Sequence, residues 1–313
     1  MARQKIIIDT DPGQDDALAI LLALASPEEL EVLGITAVAG NAPLPLTEKN
    51  TRKICELAGR PDVKVYAGCD RPLLRELHTA PEVHGETGLN GPVLPEPTMP
   101  LQPQHAVDYL IETVMAEEPG TVTLCPLGPL TNIAKAIMKE PRFAARLKRI
   151  VLMGGAQTEG GNSTPCAEFN IYVDPHAADV VFRCGAPIVM FPLDVTHQVL
   201  TSRVRMDRIA AMGTRLAQAT YEMLDFYRKY DEAKYGTDGG PLHDPCVIAW
   251  LIRPELFQGK EVNVAIETGS ELTIGQTVVD HFHKTGRPKN AVYMTKADAD
   301  GFFDLLIERL KRL

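Results

Sequence analysis

Short apolar runs alternate with amphipathic helical patterns along the chain as far as residue 200. The helical patterns lie near residues 15–25, 47–59, 103–117, 129–138 and 174–184. The runs predicted to be strands are KIIID, LEVLGITAVAG, VKVYAG, TVTLCPLG, RIVLMGG and PIVMFPLD. Strands and helices that alternate in this way form a parallel sheet covered by helices on both faces. We therefore predict an α/β fold with an open, mostly parallel, doubly wound sheet.

The sequence after residue 200 changes character without a linker, a repeat or a low-complexity segment. It predicts a long helix in TRLAQATYEMLDFYRKYDEAKYG, a helix from HDPCVIAWLI, strands in EVNVAIET, ELTIGQTVVD and AVYMT, and a terminal helix. A chain of 313 residues could hold two domains by length alone, yet open α/β folds of this size often form one. We expect residues 1–313 to form a single Rossmann-like domain with a C-terminal region that caps the ligand crevice.

Charge and apolar pattern exclude several kinds of partner. The formal net charge is −9, and only the short tail RLKRL is basic, so we expect no nucleic-acid partner. The longest apolar run, ALAILLALA, is too short to span a bilayer, and the start MARQKIII reaches Asp9 before it could form the core of a signal peptide. We expect no membrane association and a cytoplasmic location.

Six cysteines are scattered without a C-x-x-C pair, and several lie in apolar stretches such as TVTLCPLG. This pattern is typical of reduced core residues rather than of a zinc site or a disulfide framework. The six are Cys55, Cys69, Cys125, Cys166, Cys184 and Cys246.

Almost every predicted strand ends in a glycine, an aspartate or an asparagine. In an open α/β sheet, ligands bind beyond the carboxyl ends of the strands, so we expect these endings to converge on one crevice. They are Asp9, Asp11, Gly40, Asn41, Gly68, Gly128, Gly154, Gly155 and Asp194.

The first predicted strand runs into a cluster of four acids, Asp9, Asp11, Asp15 and Asp16. Helix capping by Asp15 and Asp16 and a solvated end for Asp9 would explain single acids, but not a cluster of this density. Crowded carboxylates either share protons through raised pKa values or hold a cation. Oxygen ligands favour Ca²⁺ or Mg²⁺ over zinc, so the cluster predicts a metal site of that kind.

The spacing of these acids does not fit an EF-hand loop, so further ligands must come from distant parts of the chain. Asp244 in PLHDPC is the first candidate, because it follows a flexible GTDGGP segment and precedes an apolar helix. It also fits a helix N-cap with Pro245 at the first helical position, and the two interpretations are compatible. A backbone carbonyl near Leu127, in the CPLGPLTN turn, could complete the shell.

An ordered series of motifs runs from about residue 5 to the terminal helix: DTDPGQDDALAI, VAGN, HGETGLNGP, PLGPLTNIA, VLMGGA, AEFNIYVDPHAA, LDVTH and LHDP. With this series the chain resembles the nucleoside hydrolases, the N-ribohydrolases of the inosine-uridine-preferring and pyrimidine-preferring kind. The resemblance implies a calcium-dependent hydrolase that splits ribonucleosides into ribose and free base. HGETGLNGP and NSTPCAEFNIYVDP are closer to the pyrimidine-preferring bacterial members, which implies uridine and cytidine as first substrates, with inosine possible.

The resemblance also implies site residues and an assembly. It places Ca²⁺ on Asp11, a bidentate Asp16, the carbonyl of Leu127 and Asp244. Asp11 would take a proton from an activated water, and His243 would act as the general acid for the departing base. The implied substrate contacts are Asp15, Asn41, Asn162, Glu168 and Asn170 for the ribose hydroxyls, Met153 beneath the sugar, and His84 and Tyr230 at the base. Family members assemble as homodimers or homotetramers, so a homo-oligomer is expected.

Several of these residues also fit simpler structural roles. Asn41 and Asn162 suit turns or loops, and a lone histidine such as His243 is more often packed than catalytic. Glu168 and Asn170, two apart in AEFNIYV, are predicted to face one side of a strand. An aromatic stripe on one long helix is more often core than ligand contact, and that stripe comprises Tyr221, Tyr227, Tyr230 and Tyr235.

Two departures from the family pattern affect these assignments. The TEGGN loop is one residue longer than in some relatives, which affects the placement of Asn162. Gln14 stands at a variable position and would contact the base or nothing.

Two alternative functions are weighed against the hydrolase. IIIDTDPG offers the D-x-D of a haloacid-dehalogenase-type phosphatase, but Asp15, Asp16 and the late HDP disfavour it. A non-catalytic nucleoside- or ribose-binding module would have a damaged catalytic set, whereas Asp11, Asp16, His243 and Asp244 are all present.

Overall fold

The computed structural model describes residues 3–313. Within this range the ten strands are β1 (Gln4–Thr10), β2 (Leu30–Ala37), β3 (Val65–Ala67), β4 (Leu101–Gln102), β5 (Val122–Pro126), β6 (Arg149–Met153), β7 (Ile188–Phe191), β8 (Phe257–Ile266), β9 (Thr277–Asp280) and β10 (Ala291–Ala297). The helices are α1 (Gln14–Leu24), α2 (Leu44–Leu57), α3 (Pro81–His84), α4 (Ala106–Ala116), α5 (Thr131–Lys139), α6 (Phe143–Arg146), α7 (Phe169–Val173), α8 (Pro175–Phe182), α9 (Leu193–Thr196), α10 (Arg203–Ala210), α11 (Arg215–Tyr235), α12 (Pro245–Ile252) and α13 (Ala299–Leu310). A 3-10 turn, Pro254–Leu256, joins α12 to β8.

All ten strands belong to one sheet with the order β4-β3-β2-β1-β5-β6-β7-β10-β8-β9. The pairs from β4 to β7 and the β7–β10 pair are parallel, whereas β8 pairs antiparallel with both β10 and β9. The predicted open, mostly parallel α/β sheet is confirmed. The late strands extend this sheet at one edge, and the part of the C-terminal region that covers the crevice is α11.

The strand order reverses between β1 and β5, which are neighbours in the centre of the sheet. Asp9, near the end of β1, is paired with Thr36 of β2 on one side and with Pro126 of β5 on the other. Chain connections leave in opposite directions from this point, so the loops beyond β1 and β5 diverge and leave a crevice between them. The acid cluster that follows β1 therefore lies at the position where open α/β sheets bind ligands.

Each face of the sheet has its own apolar core. On one face α1 packs against α12, α13 and α2, and every residue of α1 is buried. On the other face α4, α5 and α8 cover the sheet. Since β1 lies between two helical layers, Ile6, Ile7 and Ile8 are all fully buried, which explains its continuous apolar sequence. None of the helices between residues 3 and 313 has the length and apolar character needed to cross a bilayer.

Candidate active site

A cavity of about 290 Å³ lies at the carboxyl ends of the central strands and is covered by α11. Its size and its converging polar side chains are those of a small-molecule site. Of the predicted site residues, the cavity is lined by Asp15, Asn41, His84, Leu127, Met153, Asn162, Glu168, Asn170, Tyr230, His243 and Asp244. Asp11 and Asp16 are almost completely buried beside the lining acids. The structure therefore brings all the predicted residues into one region.

Three carboxylates form a compact group at the start of α1 and α12. Asp15, Asp16 and Asp244 each have an oxygen within 4.8 Å of the others. Asp16 Oδ2 also accepts a hydrogen bond of 3.0 Å from the Gly13 amide, so this residue caps α1 as well. Asp244 stands at the N-cap position of α12, but its side chain makes no capping hydrogen bond. The predicted N-cap position, with Pro245 at the first helical position, is therefore confirmed, while the carboxylate of Asp244 belongs to the acid group.

The side chain of Asp11 lies between two glycines. A Cβ atom on Gly40 or on Gly128 would come closer than 3.0 Å to the Asp11 carboxylate, so both positions need a residue without a side chain. Asp11 Oδ2 accepts a 2.7 Å hydrogen bond from the Asn41 amide. Its Oδ1 is buried and has no hydrogen-bond partner among the described residues. A buried acceptor of this kind is costly unless a cation or a donor occupies the space beside it.

Burial raises the pKa of every acid in the cluster. For Asp11 the pKa lies well above 3.8 because of burial and then the charge of Asp16. The same two causes raise the pKa of Asp15 to about 8. Burial and then repulsion from Asp15 raise that of Asp244. A cation beside these buried carboxylates would stabilise their ionised form, so the residues fit the predicted metal site.

Leu127, Glu168 and Asn170 form a connected hydrogen-bond group on the opposite wall. Asn170 donates from Nδ2 to the carbonyls of Leu127 at 2.7 Å and Met153 at 3.3 Å. Glu168 accepts from the amides of Asn170 and Gly155, both at 2.9 Å. The predicted strand at AEFNIYV is wrong, because Glu168 is the N-cap of the short helix α7. The Glu168 carboxylate accepts hydrogen bonds from the first amides of α7 and so favours a helix. The β-branched residues of this segment do not outweigh that capping.

His243 is held by a hydroxyl that the sequence analysis did not assign. Its Nδ1 is 2.7 Å from Thr196 Oγ1, at the end of α9. The ring of His197 lies 5.7 Å from the His243 ring, and His197 Nδ1 is 3.0 Å from Glu159. Burial, and then the neighbouring His197, lowers the pKa of His243 well below 6.5.

His84 is fixed from behind by Gln14. Gln14 Oε1 lies 2.7 Å from His84 Nδ1, and its Nε2 donates to the carbonyls of His84 at 3.2 Å and Asn90 at 2.9 Å. A Cβ on Gly13 would overlap the His84 ring, so this close approach also requires the glycine. Because Gln14 is fully buried and does not line the cavity, it contacts His84 rather than the base. Burial lowers the pKa of His84 to about 3, and its ring stacks on Tyr227 with the centroids 5.7 Å apart.

Besides Tyr230, the helix α11 contributes other polar side chains to the cavity wall. Lys234 donates to the Tyr230 hydroxyl at 2.7 Å and approaches the carbonyl of Asn162 at 3.5 Å, so it links α11 to the TEGGN loop. The Asn162 side chain is itself a loop anchor, since its Oδ1 accepts from the Phe169 amide at 2.9 Å. Asp231 also lines the cavity. The prediction that tyrosines on this helix are core residues holds for Tyr227, which is 3% exposed.

Not every predicted strand ending lines the cavity. Asp9 instead accepts hydrogen bonds from Thr36 Oγ1 and Asn132 Nδ2. Asp194 follows β7 but does not line the cavity. Instead it accepts hydrogen bonds from the amides of Gln157 and Thr158 and from the Tyr293 hydroxyl. It supports the loop that leads to Asn162 rather than the ligand site. The cause is that α9 begins next to it, so its carboxylate turns toward the loop after β6.

The comparisons with known proteins agree with this geometry. The sequence model of the inosine-uridine preferring nucleoside hydrolase family matches residues 6–304. The chain belongs to this family, whose members hydrolyse the N-glycosidic bond of nucleosides. It is therefore an enzyme. Membership of this family supports neither of the two alternatives, the phosphatase and the non-catalytic binding module.

Individual relatives cover almost the whole chain. An uncharacterized protein of Schizosaccharomyces pombe is 53% identical over 309 residues, which is 99% of each chain. The pyrimidine-specific ribonucleoside hydrolase RihA of Shewanella is 50% identical over 306 residues, covering 97% of this chain and 95% of the relative. Among solved structures, a purine-preferring ribonucleoside hydrolase from Gardnerella vaginalis superposes with a TM-score of 0.92 at 33% identity, covering 98% of each chain.

Proposed function

We propose that this nucleoside hydrolase depends on calcium and acts on pyrimidine ribonucleosides, releasing ribose and the free base. The observation that carries the proposal is the buried, unpartnered Oδ1 of Asp11 beside three clustered carboxylates at the floor of the cavity. The test is a ribose-release assay on uridine, cytidine, inosine, adenosine and guanosine at matched concentrations. We expect the pyrimidine ribonucleosides to give the highest kcat/KM. A clear purine preference would contradict the substrate assignment.

The calcium ligands are proposed to be Asp11, Asp16, the carbonyl oxygen of Leu127 and Asp244. All are oxygen donors, and together they are strongly anionic, which suits a hard divalent cation. A bound calcium ion would supply positive charge that lowers the pKa of a nearby water. The Leu127 carbonyl already accepts from Asn170, and its second lone pair remains available.

Asp11 is proposed as the general base. Its Oδ2 is held by the Asn41 amide, while Oδ1 has no partner among the described residues, so this oxygen is the one that can accept a proton from the attacking water. Gly40 and Gly128 fix the orientation of the carboxylate. Because cleavage of an N-glycosidic bond passes through an oxocarbenium-like state, a positioned nucleophilic water is needed at the sugar carbon.

His243 is proposed to assist the departing base on the other side of the sugar. Its pKa is lowered, so the neutral ring is the form present before substrate binds. When the Thr196 hydroxyl donates to Nδ1, the remaining ring proton lies on Nε2, which is then a hydrogen-bond donor for the leaving base. Thr196→Val should therefore reduce kcat for uridine more than for a riboside whose leaving group needs no proton. An equal loss for both substrates would contradict this role.

Asp15, Asn41, Asn162, Glu168 and Asn170 are proposed to bind the ribose hydroxyls, with Met153 beneath the sugar ring. The support is that all six line the same cavity. Removal of a hydroxyl would leave several buried groups unpaired, which disfavours the analogue strongly. We expect deoxyuridine to be hydrolysed at least about tenfold less efficiently than uridine. Equal kcat/KM for the two would contradict this set of contacts.

His84 and Tyr230 are proposed to contact the base, and the choice of pyrimidines rests on relatives. RihA proteins with about half of their residues identical to this chain are named pyrimidine-specific, while the purine-preferring structure from Gardnerella vaginalis is only 33% identical. His84, fixed by Gln14, offers its Nε2 to the cavity as a hydrogen-bond acceptor when Nδ1 carries the proton.

Assembly, domain organisation and location complete the proposal. We propose a homodimer or homotetramer, a single domain over residues 1–313, and a cytoplasmic location. The continuous sheet of ten strands supports one domain. The six cysteines, all free among the described residues, agree with a reducing compartment. Sedimentation velocity at several protein concentrations would test the assembly, and a purely monomeric species would contradict it.

A further inference from the structure

Asp231 is an acid in the cavity that no part of the proposed mechanism uses. It lies on α11, it is 9% exposed, and it lines the cavity beside Tyr230. The other acids of α11 lie outside the cavity, and each has a partner on the same helix. Asp225 pairs with Arg228 and Lys229, Glu232 pairs with Arg228, and Glu222 accepts from Gln218. The carboxylate of Asp231 has no hydrogen bond or ion pair within residues 3–313, so it is free to accept from a ligand.

The neighbours of Asp231 leave its carboxylate without a partner. Lys234 is the cation whose charge acts on Asp231, but its ammonium donates to the Tyr230 hydroxyl and approaches the Asn162 carbonyl. Gly240 has no side chain, and a Cβ there would approach Asp231 Oδ2 to 3.2 Å. Burial raises the pKa of Asp231 to about 6, while the charge of Lys234 opposes this effect. The group is therefore mostly ionised at pH 7.

An ionised carboxylate has only hydrogen-bond acceptors. The exocyclic amino group of cytosine presents N–H donors, and Asp or Glu is a matching partner for it. Uracil presents a carbonyl oxygen at the same position, and its single N–H is flanked by two carbonyls. A carboxylate facing this edge would leave buried acceptors unpaired, which is costly.

We propose that Asp231 selects ribonucleosides whose base carries an exocyclic amino group, and so favours cytidine over uridine. This inference rests on the proposed function and names the substrate feature that the same site distinguishes. Asp231 acts on specificity and not on bond cleavage, since it lies on the covering helix rather than in the acid group at the floor.

The test measures kcat/KM for cytidine and uridine with the wild type, Asp231→Asn and the control Asp225→Asn. Asparagine keeps the size of the side chain and adds a donor that can pair with the uracil carbonyl. We expect the ratio of cytidine to uridine efficiency to fall at least about tenfold in Asp231→Asn and to stay unchanged in the control. Adenosine and inosine provide a second pair with the same amino-to-carbonyl difference, and their ratio should change in the same direction.

An unchanged ratio, or an equal loss for both substrates, would overturn the proposal. Asp231→Ala is a second variant, expected to lower cytidine efficiency without a gain for uridine. Calorimetry with cytidine and uridine on the same variants, without turnover, measures the selectivity of binding separately from that of catalysis. If the wild type releases no ribose from any nucleoside, the proposed function fails, whereas the binding ratio still tests Asp231.

Discussion

Replacement of Asp15 by asparagine should stabilise the chelated protein while it reduces activity. The pKa of Asp15 is about 8 in the folded chain, against an ordinary 3.8. An acid whose pKa is raised by folding contributes full stability below pH 3.8, loses it progressively as the pH rises, and has lost it above pH 8. At about 1.4 kcal/mol per pH unit, this one carboxyl lowers the free energy of unfolding by roughly 4 kcal/mol at pH 7, because it ionises in the unfolded chain and stays mostly protonated in the folded one.

The assay is urea unfolding in the presence of a chelator at pH 4 and pH 7, followed by circular dichroism. Asp15→Asn should raise the free energy of unfolding at pH 7 by up to roughly 4 kcal/mol and by almost nothing at pH 4. The value is an upper limit because relief of one charge also changes the protonation of Asp16, its coupled neighbour. Saturating calcium should reduce the difference, since the cation stabilises ionised acids.

The matched control is Asp225→Asn, on the exposed side of α11. The pKa of Asp225 is lowered by hydrogen bonds with Lys229 and Arg228, so its removal should cost a little stability instead of adding any. No gain in the free energy of unfolding of Asp15→Asn at pH 7, or the same gain at pH 4, would contradict the raised pKa of Asp15. Ribose release by Asp15→Asn should fall by about ten- to a hundredfold in kcat/KM, because a charged hydrogen bond to the sugar is lost.

Two further predictions concern positions next to the site. Gly128→Ala places a methyl group against the Asp11 carboxylate. We expect at least about a hundredfold loss of kcat/KM with an unchanged circular dichroism spectrum. Full activity would show that Asp11 does not need this orientation. Gln14→Leu removes the acceptor at His84 Nδ1 and the donor to the carbonyls of His84 and Asn90, so KM for uridine should rise about tenfold. An unaltered KM would indicate that Gln14 has no positioning role.

The fold was predictable because its strands are short, apolar and separated by helices of clear periodicity. β1 lies between two helical layers, and burial on both sides leaves a continuous apolar sequence that is easily recognised. The helix α7 was predicted as a strand because FNIYV consists mainly of β-branched and aromatic residues, and a helix of five residues has too little periodicity to be detected. The sequence feature that indicates this helix is the preceding Glu168, an acid that caps it.

Asp11, Asp15 and Asp16 were predictable because they are close in sequence and chemically incompatible without a cation. The supporting contacts were not, because they join distant parts of the chain. Thr196 meets His243 across 47 residues, and Gln14 meets His84 across 70. Thr196 lies within the motif LDVTH, which identified the family without indicating what the hydroxyl does. Only the three-dimensional arrangement could identify such partners.

We predict that cleavage of the N-glycosidic bond requires a calcium ion at the acid cluster. The most direct test is ribose release from uridine after chelation and calcium back-titration, performed on the wild type and on Asp11→Ala. We predict that chelation abolishes wild-type turnover, that calcium restores it, and that Asp11→Ala stays inactive at every calcium concentration with its fold intact. Full turnover by the chelated wild type, or by Asp11→Ala, would contradict the claim.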